Sequence, residues 1–231
     1  MRQARSAAFS QRLAGAKKVM RAKRSKAPRH YEIHADFYGK PLHWSLENSD
    51  RLQPKHRGLL APTPWPDGYL QSLRGPWNLP EYLERPRFII DENKGRLPRD
   101  LEEGDGVFLI SAAAKAVFEA LDPAACDIRP WDTFLTSGEP GPETWLCSIT
   151  RAFIGAVDLE RSEIHINMAG PGGLPIYGLG GGCKLRFKPE VVNGAHLFHI
   201  AESAHAVFCD EVCKQACKDA GLKGARFTSF Q

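Results

Sequence analysis

The chain has 231 residues, 42% of them hydrophobic and 25% charged, enough apolar material for one folded unit of ordinary size or two small ones, which excludes disorder throughout. Its stretches free of charge, Val107–Ala114 and Ala152–Val157, fall far short of the ~18 apolar residues that cross a bilayer, and no secretory h-region stands near the start. A cytoplasmic protein without membrane association is expected. The formal charge of +4 is uneven: residues 1–30 hold ten of the 31 basic residues and no acidic one, which leaves 21 basic against 27 acidic in 31–231, a body of −6.

The basic stretch 1–30 reads as a tail, helical or disordered, that repels itself and makes at most weak polyanion contact, nucleic acid included, through counterion release. Its Arg-rich, acid-free composition also fits an organellar transit peptide. Beyond it, Tyr31, Ile33, Ala35 and Phe37 alternate with Glu32, His34 and Asp36, the period-two pattern of a half-buried strand. From Leu59 to Pro86 the prolines after Ala61, with turn signals at Pro66-Asp67-Gly68 and Gly75-Pro76, preclude a long helix or central strand and predict an aromatic loop region. Arg87–Asp91 then makes one strand, and the polar run Glu92–Asp105 marks a weak subdomain boundary.

Gly106–Ile110 predicts a short buried strand, and Ser111 a cap for a helix through Leu121 that Asp122-Pro123 stops. Trp145, Cys147 and Ile149 alternate with polar or smaller neighbours, and Glu163–Met168 alternates again, so two strands are expected there. The Gly- and Pro-dominated run Ala169–Gly182 then forms a broad hairpin loop before the strand pattern of Cys183, Leu185 and Phe187. Gly178–Lys184 is no phosphate loop, because Cys183 precedes Lys184 and Leu185 follows it where Gly and Ser or Thr are required. Near the end, His205–Phe208 predicts a strand and Asp210–Ala220 a helix with Val212, Cys213, Ala216 and Cys217 on its buried side. Gly221 follows as the C′ residue, and Ala225–Phe230 makes a closing strand. The pattern amounts to an α+β fold with a mostly antiparallel or mixed sheet, few helices and a loop-rich N-terminal half. Its expected organisation is a tail (1–30), an N-terminal β subdomain (31–105) and a C-terminal α+β core (106–231).

Six cysteines in a chain without an export signal predict free thiols rather than disulfides. Cys209, Cys213 and Cys217 lie four apart, on one stripe of a helix, but no second Cys or His pair completes a zinc pattern. They read as packing residues, with His196, His199 and His205 in a neighbouring strand. No nucleophile elbow, zinc-peptidase motif or deaminase pair is present, so neither a cofactor nor a metal is expected and a binding protein is favoured over a small hydrolase.

Three segments carry a resemblance to a known family. RFIIDENKGRLPRDLEEGDGVFLISAAAKAVFEALDP at Arg87–Pro123, AVDLERSE at Ala156–Glu163 and HLFHIAESAHAVFCDEVCKQACKDAGLKGARF at His196–Phe227 resemble the immunity proteins of bacterial polymorphic toxin and type VI secretion systems. Cys209 stands where a Ser or Thr helix cap is more usual, and the basic first 30 residues have no expected counterpart. The resemblance implies an antidote that binds a cognate toxin encoded by an adjacent gene, without enzymatic activity, and an acidic body suits a basic partner. A nucleic-acid-binding protein using the tail is the alternative. The expected contact surface is the Leu59–Pro86 loop, with Trp65, Tyr69, Trp77 and Tyr82 held among prolines, supported by Glu102, Glu103 and Asp105.

Overall fold

Alternation places Tyr31, Ile33 and Ala35 on the buried face of β1 (His30–Ala35), as expected from their spacing. The computed structural model describes residues 29–53, 59, 79–104, 107–167 and 175–230. In it β1 lies between β13 (Ser203–Asp210) and β14 (Ala225–Ser229), antiparallel to both. β12 (Leu197–Ile200) pairs with the far side of β13, and the two-residue β9 (Ala152–Phe153) joins β12 in parallel, giving the order β14-β1-β13-β12-β9.

A second sheet, wholly antiparallel, has the order β4 (Leu101–Gly104), β5 (Val107–Ile110), β8 (Trp145–Ile149), β6 (Cys126–Pro130). A third contains β2 (Trp44–Leu46), β3 (Arg87–Ile90) and β7 (Asp132–Leu135), with β3 parallel to β7. A small antiparallel pair joins β10 (His165–Asn167), within the expected Glu163–Met168 strand, to β11 (Ile176–Gly178), which falls inside the run Ala169–Gly182 expected to be loop.

The sheets stack because the central strands bury both faces. Along β5, Phe108 and Ile110 enter a core shared with the five-stranded sheet, whereas Val107 and Leu109 enter a core shared with the three-stranded sheet. Along β12, Leu197 faces the first of these cores and Phe198 and Ile200 face another, where Phe187, Phe198 and Phe208 meet edge-on or stacked. Every residue of β5 and β12 is therefore buried, which explains why β5 reads as a short unbroken apolar run and why His199 in β12 is enclosed.

Two helices close one side of the central core. In α1 (Ala112–Leu121) the Ser111 hydroxyl accepts from the Ala114 N–H at 3.3 Å, the helix stops at Asp122, and Phe118 is fully buried. The four-residue α2 (Pro189–Val192) ends on left-handed Asn193. In α3 (Glu211–Asp219) the cap is Asp210, which accepts from the Cys213 N–H at 2.8 Å, so the Cys209 position compared above with a capping Ser or Thr is one residue too early. Gly221 has φ +66, and the Leu222 N–H behind it reaches the Cys217 carbonyl at 3.0 Å, the expected C-terminal closure.

β4 and β5 lie on either side of residue 105 and pair residue for residue, and β1 pairs with β13 and β14. Some expectations are corrected. Val212 is 52% exposed, because the buried stripe of α3 runs through Cys213 and Cys217. Cys183–Lys188 keeps its period-two burial but meets its neighbours only through the isolated bridges Glu163↔Lys184 and Val157↔Phe187.

Candidate functional site

The expected contact loop is rooted at both ends in the core beneath the three-stranded sheet. Leu59 and Leu79 are 1% and 2% exposed and pack with Phe88 and Trp131. Tyr82 donates its hydroxyl to the Leu59 carbonyl at 2.8 Å, and burial pushes that phenol upward, so it stays a donor. The Leu79 N–H donates to Asp127 at 2.8 Å. Arg129 holds Asp127 at 3.0 Å and also reaches the Pro80 carbonyl at 3.0 Å and Glu81 at 3.2 Å. These bonds bring residues 59 and 79–82 to one place at β6. Trp65, Tyr69 and Trp77 lie outside the described residues, so of the four expected aromatics Tyr82 alone has a described setting, as an anchor at the loop's base.

The acidic part of the expected surface divides. Glu102 is 4% exposed, ion-paired to Arg96 and Arg99, and accepts from the Arg99 N–H at 2.7 Å. It holds the turn before β4 together and presents almost nothing to a partner. Glu103 is half-buried and accepts from the Ala35 N–H at 3.4 Å, and Asp105 lies outside the described residues. β4 and β6 are the two edges of the four-stranded sheet, three strand spacings or ~14 Å apart. The loop base and Glu102–Glu103 therefore do not form one patch.

Glu103 instead lines a cavity of about 190 Å³ where the five-stranded and four-stranded sheets face one another, along with Glu32, His34, His199, His205 and Phe108. Among the described residues no Lys or Arg lines it. The Glu32 carboxyl is raised, first by burial and further by the Glu103 charge, with His34 opposing. His199 is 6% exposed; its Nδ1 meets the Ala206 carbonyl at 2.9 Å, and burial pulls the imidazole down to about 4. Cys147, also on the wall, is fully buried, and its thiol is held well up by the hydrogen bond with Cys126 and by burial, so it offers no thiolate to react. The cavity was missed in sequence because Glu32 and His34 occupy the alternating polar positions of β1, which the pattern assigns to solvent.

The remaining singled-out residues are accounted for locally. Cys209, Cys213 and Cys217 are at most 1% exposed, and mutual hydrogen bonding, then burial, raises the Cys213 and Cys217 thiols. His196 Nδ1 lies 2.8 Å from Asp210. Among the described residues no group of three His, Cys, Asp or Glu side chains is placed to hold a metal ion, and no helix is long and apolar enough to cross a membrane.

Stacked sheets with a few short helices and a polar cavity between two of the layers make this an α+β protein. The sequence profile of the immunity protein family Imm11 matches residues 17–231, and the chain belongs to that family. No curated protein matches the chain. The match begins at residue 17 and so takes in part of the basic stretch, correcting the expectation that residues 1–30 lack a counterpart. Membership supports an immunity role.

Proposed function

We propose that the protein neutralises a cognate toxin of a polymorphic or type VI system by forming a stoichiometric complex with it in the cytoplasm of the cell it protects, without turning over a substrate. The observation that carries this reading is the match to an immunity family over nearly the whole fold. A body of −6 outside residues 1–30 supports association with a basic partner. The contact surface includes the segment between Leu59 and Tyr82, with Trp65, Tyr69 and Trp77 as its anchors; the flanking Leu59, Leu79 and Tyr82 are fixed in the core, which supports a lower ordering cost of binding.

The test is co-expression with the product of the adjacent gene, followed by calorimetric titration of the purified pair. Rescue of growth with one-to-one binding supports the proposal. A toxic neighbour that grows no better with this protein present, and shows no binding, overturns it.

A further inference from the structure

Three of the less exposed carboxylates elsewhere in the protein are matched to cations, whereas buried Glu202 accepts from the Gly155 N–H instead. Glu102 has Arg96 and Arg99, Asp122 has Arg151, and Asp127 has Arg129. Glu32 and Glu103 differ: they line one cavity, no Lys or Arg joins them there, and neither is in an ion pair among the described residues. Two carboxylates facing the same small space repel one another, and the Glu32 carboxyl is raised chiefly by burial, with His34 opposing and Glu103 adding to it. A cation arriving from outside would reverse the sign of the local interaction.

The surroundings suit a long side chain better than a bare ion. The cavity of about 190 Å³ has the apolar Phe108 and Val207 on its wall for a methylene stem. His34, which lines it, stacks on Phe37 at 6.5 Å between ring centroids, and Phe37 and its neighbour Tyr38 are 71% and 74% exposed. Two adjacent aromatics left open to solvent beside an uncompensated acidic cavity form an apolar rim around a charged centre, the arrangement of an interface anchor. Tyr38 already accepts a guanidinium from within the chain, with Arg226 lying 4.6 Å over its ring.

We propose that this cavity receives an arginine side chain of a partner polypeptide, its guanidinium held by Glu103 and Glu32 and the flanking partner residues packed on Phe37 and Tyr38. Arginine is favoured over lysine because its planar, weakly hydrated head pairs with two carboxylates and stacks on aromatic rings at the same time. This deepens the toxin-binding reading, on which it rests only for the identity of the polypeptide.

The test uses the full chain and the peptide acetyl-Gly-Arg-Gly-amide, with its citrulline counterpart as a neutral isostere, followed by imidazole and backbone NMR shifts. Saturable shifts at His199 and His205 with millimolar affinity, about tenfold weaker for citrulline and for the E32Q/E103Q variant, are expected. Equal responses to the two peptides, or no saturable shift with the native protein, overturn the proposal whether or not the variant folds. With a cognate toxin in hand, E32Q/E103Q lowers its affinity about tenfold or more, and an unchanged affinity removes the cavity from the toxin-binding surface while leaving the immunity reading intact. If no toxin binds even the native protein, the immunity reading fails, and the peptide titration still decides the cavity.

Discussion

Acidification removes a definable part of this protein's stability through His199. The ring is 6% exposed and sits between sheets with Nδ1 against the Ala206 carbonyl, and burial pulls its pKa down to about 4 from 6.5. A folded-state pKa below the unfolded one means that the unfolded chain takes up the proton first. The stability carried by the neutral ring is complete above pH ~6.5, declines as pH falls, and is gone below about 4. A gap of about 2.5 units at about 1.4 kcal/mol each gives about 3 kcal/mol over that window. Urea unfolding of the native protein and of His199→Gln, at several pH values between about 4 and 7.5, isolates this contribution, since the other titrating groups are common to both. The native protein should lose about 3 kcal/mol more than the variant across that range. Parallel pH dependences for the two proteins would refute the assignment of a neutral buried ring.

Other outcomes follow from packing and capping. Phe118→Ala, which empties a fully buried position between α1 and the sheets, should cost about 3–5 kcal/mol in denaturant unfolding. Asp210→Ala removes both the α3 cap and the His196 partner and should cost about 1–2 kcal/mol, with Asp210→Asn recovering most of the capping share. Cys209, Cys213 and Cys217 should resist a thiol reagent in the folded protein and react only on unfolding, because all three are buried and the Cys213 and Cys217 thiols are also raised; rapid native labelling at any of them contradicts the packing described. Trp65→Ala with Trp77→Ala should weaken toxin binding at unchanged thermal stability, and full-strength binding would remove the loop from the contact surface.

Local rules recovered the elements whose signals are self-contained. The alternation in β1, the Ser111 cap and Asp122-Pro123 stop of α1, and Gly221 after α3 each depend on a few adjacent residues, and the structure uses each as expected. β4 was hidden because LEEG carries two acids; it is a strand because Glu102 is neutralised from the preceding turn by Arg96 and Arg99. β2, β6 and β7 were hidden likewise, since their pairing partners lie far away in the chain and their residues are only partly buried. Val212 was misplaced because the capping aspartate fixes the phase of α3, and a shift of one residue turns a side chain by about 100°. The cavity needed two sheets to be brought face to face, and nothing adjacent in sequence links Glu32 with Glu103 or His205.

The placement of β1 between β13 and β14 bears on how the chain is made. Tyr31 bonds Glu211 across a separation of 180 residues, and both strands that flank β1 come far later in the chain. β1 must therefore wait, with Tyr31 and Ile33 uncovered, until residues 203–229 have been made, so folding is non-local. Nascent fragments that stop before residue 203 lack both strands that enclose it. β1 therefore gains both of its neighbours only in chains that extend through residue 229.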